Sequence, residues 1–141
     1  MRTTILLPTH DRRTAHAFCR DGLGLETPGE PAEDGVPEPL RVVLSEGCQA
    51  VLVPDGGFSW VAGRPAAPDA DVECVLTLEL DEVAAVDALF AKAVAGGGAA
   101  VAEPGPTSWG YRALVADPDG HRWQLLAGTF ADVESDDPAS S

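Results

Sequence analysis

The strand and helix that decide the fold lie in the stretch VLTLELDEVAAVDALFAKAVAG, residues 75–96. Its first six residues place a leucine at every second position, which predicts a strand with one apolar face. From Asp81 to Ala95 the apolar spacing becomes helical, with acids in the first turn and Lys92 in the last turn. Gly96 follows as a helix terminator. The stretch therefore predicts a strand followed directly by an amphipathic helix.

Three further strands are predicted after this helix. They cover Ala99–Ala102, Tyr111–Ala116 and Arg122–Leu126. The last two are joined by Asp117-Pro118-Asp119-Gly120, whose proline and glycine suit a tight turn. The second half of the chain is thus predicted to be one β-α-β-β-β unit.

The first half shows the same order of elements. The pattern predicts a strand over Thr4–Thr9, a helix from Asp11 that ends at Gly22, and strands over Leu23–Glu26, Arg41–Leu44 and Gln49–Pro54, with an exposed loop over Thr27–Pro39. Asp11 matches Glu82 and Arg41 matches Arg112, both at an offset of 71 residues. A fixed period of this length indicates duplication of one unit.

These elements predict an α+β protein built from two βαβββ modules, with curved sheets and outer helices. The first module covers residues 1–54 and the second covers residues 73–128. Residues 55–72 are predicted to be a linker, and residues 129–141 a disordered acidic tail. Two curved sheets of this kind enclose a concave surface, which is a natural place for a ligand.

Composition excludes several classes of function. The chain has 141 residues and a formal net charge of −14, and it lacks a basic stripe, so nucleic acid and anionic membranes are disfavoured partners. No apolar run is long enough for a signal peptide or a spanning helix. The three cysteines lack metal-binding spacing, and the scarcity of Lys, Asn and Ile suggests a bacterial genome of high GC content. A cytoplasmic protein is expected.

The sequence resembles the vicinal-oxygen-chelate superfamily in several motifs and in the order in which they occur. This superfamily includes glyoxalases, extradiol dioxygenases, fosfomycin-modifying enzymes and bleomycin-type resistance proteins. In the first half the resemblance rests on Asp11 through Ala17-Phe18-Cys19 and on Asp21-Gly22-Leu23-Gly24. In the second half it rests on Trp109-Gly110-Tyr111 and on residues 116–123, ADPDGHRW. It covers residues 3 to 127 and implies the paired-module fold.

In metal-dependent members of that superfamily, four ligands, usually His and Glu, come from the first and last strand of each half. Here the resemblance places at those positions Thr4, Val75 or its neighbour Cys74, Gln124, and one of Gln49, Val51 and Val53. Such side chains do not make a site for a divalent cation. The sequence therefore predicts no metal, no cofactor and no catalytic residue.

A metal-free small-molecule binding protein, acting as a homodimer in antibiotic sequestration or resistance, is the first functional hypothesis. An acidic chain favours a cationic, aromatic ligand, although thirteen of the 23 acids lie in residues 26–38, 55–73 and 129–141, where the charge is expected to be solvated. One alternative is a lyase, isomerase or dioxygenase of the same fold. The other is a protein that acts by binding a partner protein and whose concave surface no longer binds a ligand. The candidate ligand-binding residues are Phe58, Trp60, Trp109, Tyr111 and Gln124.

The three histidines receive structural interpretations. His121 follows the Asp-Pro-Asp-Gly turn and is expected to hydrogen-bond across the hairpin. His10 and His16 flank the first predicted helix, away from its apolar stripe, and both are expected to be solvated.

Overall fold

Two β-sheets organise the chain in the computed structural model, which describes residues 1–63 and 74–128. The strands are β1 (Thr3–Thr9), β2 (Leu40–Ser45), β3 (Cys48–Pro54), β4 (Val75–Leu80), β5 (Ala99–Thr107), β6 (Gly110–Ala116) and β7 (Arg122–Ala127). The helices are α1 (Arg12–Ala17), which continues into a π-helical segment (Phe18–Gly22), α2 (Asp55–Ala62) and α3 (Val83–Ala95). The acidic tail predicted over residues 129–141 lies outside the described residues, as does the second half of the predicted linker, residues 64–72.

The two sheets share one topology. The first sheet has the strand order β1-β3-β2 and the second has the order β4-β7-β6-β5. In each module the first strand pairs in parallel with the last strand, and the other pairs are antiparallel. The α+β class and the two duplicated modules are confirmed.

The first sheet differs from the prediction because Leu23–Glu26 does not form a strand. Gly24 adopts a positive φ of 70°, which turns the chain out of an extended path directly after the π-helical segment. One backbone hydrogen bond remains, from the Val43 amide to the Glu26 carbonyl at 2.9 Å. The first sheet therefore has three strands where the second has four.

The predicted linker begins with a helix instead of an irregular segment. α2 starts directly after β3, and it packs against β1 and β3. Gly56 and Gly57 in its first turn are poor helix formers, which is why the sequence pattern did not indicate it.

The long loop of the first module is tied to α1 by the side chain of Arg12. Its Nε donates to Asp34 Oδ2 at 3.0 Å, and its second terminal nitrogen donates to the carbonyl oxygens of Val36 and Pro37, each at 3.0 Å. The loop folds back over α1, and Thr27 hydrogen-bonds Nε2 of His16 at 3.1 Å. The expectation that His16 is solvated is wrong: its side chain is buried, and that burial lowers its pKa.

The helix-facing sides of both sheets contribute to one hydrophobic core. Its largest fully buried side chains include Trp123 and Phe18, which come from different modules. The modules meet where the first helical region and α3 end. A Cβ atom built on Gly96 would lie 2.6 Å from the Cα of Gly22, so a glycine is needed at position 96 for this close approach. Both glycines end their helices, as the sequence predicts.

Candidate functional site

One hydrogen-bonded row crosses the first sheet on the face opposite its helix. Thr4 of β1 lies beside Gln49 of β3, which lies beside Val43 of β2. Gln49 Nε2 donates to Thr4 Oγ1 at 3.1 Å. The alternate residues Ala50 and Leu52 point into the core, so the Thr4–Gln49–Val43 row faces away from it.

The second sheet carries the same row. Thr77 of β4 lies beside Gln124 of β7, which lies beside Leu114 of β6. Gln124 Nε2 donates to Thr77 Oγ1 at 3.1 Å. Trp123 and Leu125 point into the core on either side of Gln124. We call these two equivalent sets the Thr-Gln rows.

A second pair of equivalent rows lies two residues further along the strands, on the same face of each sheet. In the first sheet Arg41 and Leu6 flank Val51. In the second sheet Arg112 and Glu79 flank Leu126. We call these sets the arginine rows. Threonine, glutamine and arginine therefore recur at matching places in both modules, and the Leu6 and Glu79 positions differ.

An open cleft of about 360 Å³ lies over the first Thr-Gln row. This volume falls within the range of small-molecule sites, roughly 300–1,000 Å³. Most of its lining residues are polar, among them the charged Arg2, Arg41 and Glu46 and the uncharged Thr4, Cys48 and Gln49. The cleft is the candidate ligand site of the first module.

The Thr-Gln rows do not fit a divalent cation. Their four polar side chains are neutral, and each glutamine turns its amide nitrogen toward the neighbouring threonine. Amides and hydroxyls without a carboxylate or imidazole compensate poorly for the hydration lost by such an ion. The donor set thus disagrees with the metal chemistry of the metal-dependent superfamily members.

The register corrects one expected position. Val75 lies beside Arg122, whereas Thr77 lies beside Gln124, so Thr77 is the counterpart of Thr4. The single offset of 71 residues holds for the helix starts and the middle strands. It fails for the first strands because the segment from Thr4 to the start of α1 is two residues longer than its counterpart from Thr77 to the start of α3.

A separate acidic cluster joins the modules. Among residues 1–63 and 74–128, one group of His, Cys, Asp and Glu side chains lies close enough together to suggest a metal: Asp117, Asp119 and His121. Asp117 accepts from the amides of Asp119 and His121 at 2.9 Å each, and from Trp123 Nε1 at 3.1 Å. Burial raises the pKa of Asp117. Its oxygens are therefore already used in holding the turn.

The remaining contacts of this cluster reach the first module. His121 Nε2 hydrogen-bonds the Pro8 carbonyl oxygen at 2.7 Å, and the His10 amide donates to Asp119 Oδ1 at 2.8 Å. His121 therefore hydrogen-bonds across the hairpin, as expected, through its backbone amide and carbonyl to Asp117. Its ring adds a contact that joins the modules. The cluster is best explained as a support for the interface between β1 and β7.

The candidate ligand-binding residues are dispersed. Gln124 lies in a Thr-Gln row. Phe58 and Trp60 lie on α2, with Phe58 half-buried and Trp60 86% exposed. Trp109 occupies the turn between β5 and β6. Tyr111 points to the helix side of its sheet, where its hydroxyl donates to Asp87 of α3 at 2.6 Å. The structure thus separates Tyr111 from Gln124 by the thickness of the sheet.

Sequence reasoning missed Thr77 and both arginines of the arginine rows as site residues. Arg41 and Arg112 were matched as repeat partners, yet their placement on the open face depends on strand pairing. The alternation of buried and open positions along each strand is the signal that could have identified them.

Comparisons with known proteins place this arrangement in context. The sequence model of the Glyoxalase/Bleomycin resistance protein/Dioxygenase superfamily matches residues 4–125. The hypothetical protein SA1046 from S. aureus has a TM-score of 0.77 at 22% identity, over 90% of this chain and 93% of its own. A glyoxalase-related enzyme from Fulvimarina pelagi also has a TM-score of 0.77 at 22% identity, over 91% of this chain and 88% of its own.

A third solved structure is TnmS3, an antibiotic binding protein from Streptomyces sp. CB03234. It has a TM-score of 0.62 at 25% identity, over 92% of this chain and 96% of its own. No curated protein matches the sequence significantly. Across the part of the chain that the structure describes, no helix is long and apolar enough to cross a membrane.

Proposed function

Because the chain belongs to the Glyoxalase/Bleomycin resistance protein/Dioxygenase superfamily, we propose that it is a metal-free binding protein for a small molecule. The two Thr-Gln rows carry this proposal. They supply neutral hydrogen-bonding groups where the superfamily's metal-dependent members place His and Glu ligands. A binding role needs a cleft and polar groups that orient a ligand, and the first module offers both.

A role in antibiotic sequestration or resistance is the specific form of this proposal. One structural neighbour, TnmS3, is an antibiotic binding protein. The structural similarity supports the proposal that a protein of this fold can act by binding a small molecule without converting it. Planar antibiotics are therefore the first compounds to test.

We also propose that the protein acts as a homodimer. Trp60 is 86% exposed and Val75 is 48% exposed, and apolar surface of this kind is commonly covered by twofold association. Light scattering at micromolar concentration should give about twice the chain mass of 14.6 kDa. A species of single-chain mass at high concentration would refute the dimer.

An enzyme of the same fold is the second candidate, and Glu79 is the observation that favours it. This carboxylate lies in the second arginine row, one same-face step from Thr77. A carboxylate at that place could accept a proton from a bound substrate. Turnover of a dicarbonyl substrate by metal-free protein, lost in Glu79→Gln, would establish this candidate over the first.

Metal analysis and ligand protection together test the binding proposal. Elemental analysis after dialysis should find no stoichiometric divalent metal, and Zn, Ni, Mn or Fe(II) should not produce a melting shift that saturates at one equivalent. Planar antibiotics should slow alkylation of Cys48, which lines the cleft, without slowing alkylation of the exposed Cys74. One tightly held metal per chain would refute the metal-free role.

A further inference from the structure

We infer that the cleft of the first module selects an anionic ligand, such as a planar carboxylate. This inference rests on the proposed binding function and concerns the chemistry of the same cleft. It differs from the cationic ligand suggested by the net charge, and it follows from the side chains that line the site.

The charged groups at the cleft are mainly cationic. Arg2 and Arg41 line it together with one acid, Glu46. Among the described residues, neither arginine forms an ion pair, whereas Arg12 and Arg20 do. A guanidinium without a carboxylate partner has its planar set of N–H donors available for a carboxylate or a similar oxyanion.

The neutral groups of the cleft add donors. Gln49 Nε2 uses one N–H on Thr4 Oγ1, so its second N–H and the threonine hydroxyl hydrogen remain available to a ligand. A site with this many donors is complementary to a molecule rich in acceptor oxygens. A cationic ligand would place its own charge and donors against Arg2 and Arg41, and Glu46 is the one charged acceptor that the lining offers it.

The net charge of −14 does not oppose this inference at short range. Exposed charges more than about 8 Å apart are largely screened at physiological ionic strength. Glu30, Glu33, Asp34 and Glu38 belong to the long loop, and none of them lines the cleft. Direct contact with Arg2 and Arg41 therefore outweighs the acids that do not line the cleft.

A comparison of the two arginine rows indicates that the anion site lies in the first module. Arg112 repeats Arg41, but Glu79 takes the place of Leu6 in the same row. A carboxylate there lowers the local positive charge. The corresponding row of the first module contains Arg41, Val51 and Leu6, so its one charge is positive.

A charge-matched series of aromatic probes tests the inference. The probes are 2-naphthoate, the neutral 2-naphthylmethanol and the cationic 2-naphthylmethylammonium, which share one ring system. The readout is the rate at which iodoacetamide alkylates Cys48 in a Cys74→Ser background. Cys19 stays silent because burial raises the pKa of its thiol to about 12.

Naphthoate should protect Cys48 at a concentration at least about tenfold lower than the cationic probe, since charge-assisted hydrogen bonds are the stronger ones. Arg41→Gln should abolish that preference, and Arg2→Gln, at an exposed position before β1, should reduce it. Arg20→Gln is the matched control because Arg20 pairs with Asp21 on the π-helical segment. Melting curves of all variants establish that they are folded.

The alternative outcomes separate the two proposals. Stronger protection by the cationic probe, or protection by naphthoate that survives both Arg41→Gln and Arg2→Gln, would overturn the anionic preference and leave the binding function standing. Failure of all three probes and of the planar antibiotics to protect Cys48 at millimolar concentration would overturn both.

Discussion

Gln49 and Gln124 occupy the same place in the two modules, and each donates its side-chain amide to a threonine on the neighbouring parallel strand at 3.1 Å. The surroundings of the two bonds differ. Gln124 is 9% exposed, whereas Thr4 beside Gln49 is open to solvent. The same bond therefore has different energetic consequences in the two modules, which isosteric variants can measure.

Thr77→Val should destabilise the protein more than Thr4→Val. Valine keeps the shape and strand propensity of threonine but removes the acceptor of the glutamine amide. Leaving the buried Gln124 amide without its partner should reduce the free energy of unfolding by about 1–2 kcal/mol. At Thr4 water can replace the hydroxyl, so the loss should stay below about 0.5 kcal/mol. Urea unfolding of both variants measures the difference, and equal losses would contradict this account.

Gly96→Ala should disrupt the junction between the modules. Its Cβ would lie 2.6 Å from Gly22 Cα and 3.0 Å from Gly22 N, and these are backbone atoms that cannot rotate away. The expected loss is about 2 kcal/mol or more. Gly56→Ala in α2 is the control because a Cβ there meets no atom within 4 Å. Thermal melts should show a large decrease for Gly96→Ala and no decrease for Gly56→Ala.

The elements that could be predicted from the sequence are those that neighbouring residues determine, and the elements that depend on tertiary contacts could not be predicted. The α3 helix was predictable because its apolar spacing, Lys92 and Gly96 all indicate the same element. The helix over Asp55–Ala62 was not, because its packing against β1 and β3 outweighs two unfavourable glycines. Burial of His16 could not be predicted either, because it depends on a contact with Thr27 in the long loop, whose position is held by the Arg12 side chain.

The types of residue in the candidate site could be predicted from the sequence, but the strand pairing that brings them together could be predicted only in part. Gln124 and the absence of His and Glu ligands could be read from the sequence. Thr77 could not, because the segment from Thr4 to the start of α1 is two residues longer than the segment from Thr77 to the start of α3. Gln49 stayed one of three alternatives because Val43 and Gln49 are six residues apart, whereas their counterparts Leu114 and Gln124 are ten apart. Strand register sets which residues share a face, and a slip of two residues replaces Thr77 by Val75.

Asp117→Ala should be among the most destabilising substitutions in the second module. The variant would remove the acceptor of two backbone amides and of the Trp123 indole N–H, and the Asp117 side chain itself is buried. A loss of about 3 kcal/mol or more is expected, since each unsatisfied buried donor contributes about 1–3 kcal/mol. Glu103→Ala, at an exposed position on β5, is the control and should change stability by less than about 0.5 kcal/mol. Denaturant unfolding of both variants is the measurement, and similar stabilities would contradict a structural role for Asp117.

The attachment of the long loop should weaken in acid. Hydrogen bonds from Arg12, and then from the Val36 amide, hold the pKa of Asp34 below its ordinary value of 3.8. A carboxyl with a lowered folded-state pKa stabilises the fold above its ordinary pKa, and that contribution disappears as the pH falls through the lowered value. The amide proton of Val36, which donates to Asp34 Oδ1 at 3.0 Å, should report this titration by NMR with a midpoint below 3.8. Arg12→Gln should raise the midpoint, whereas Arg13→Gln, which loses only a contact from Nε to the Asp34 backbone carbonyl, should leave it unchanged. A midpoint equal to the ordinary value in the wild-type protein, or one that moves equally in both variants, would show that the Arg12 side chain does not hold the loop through the Asp34 carboxylate.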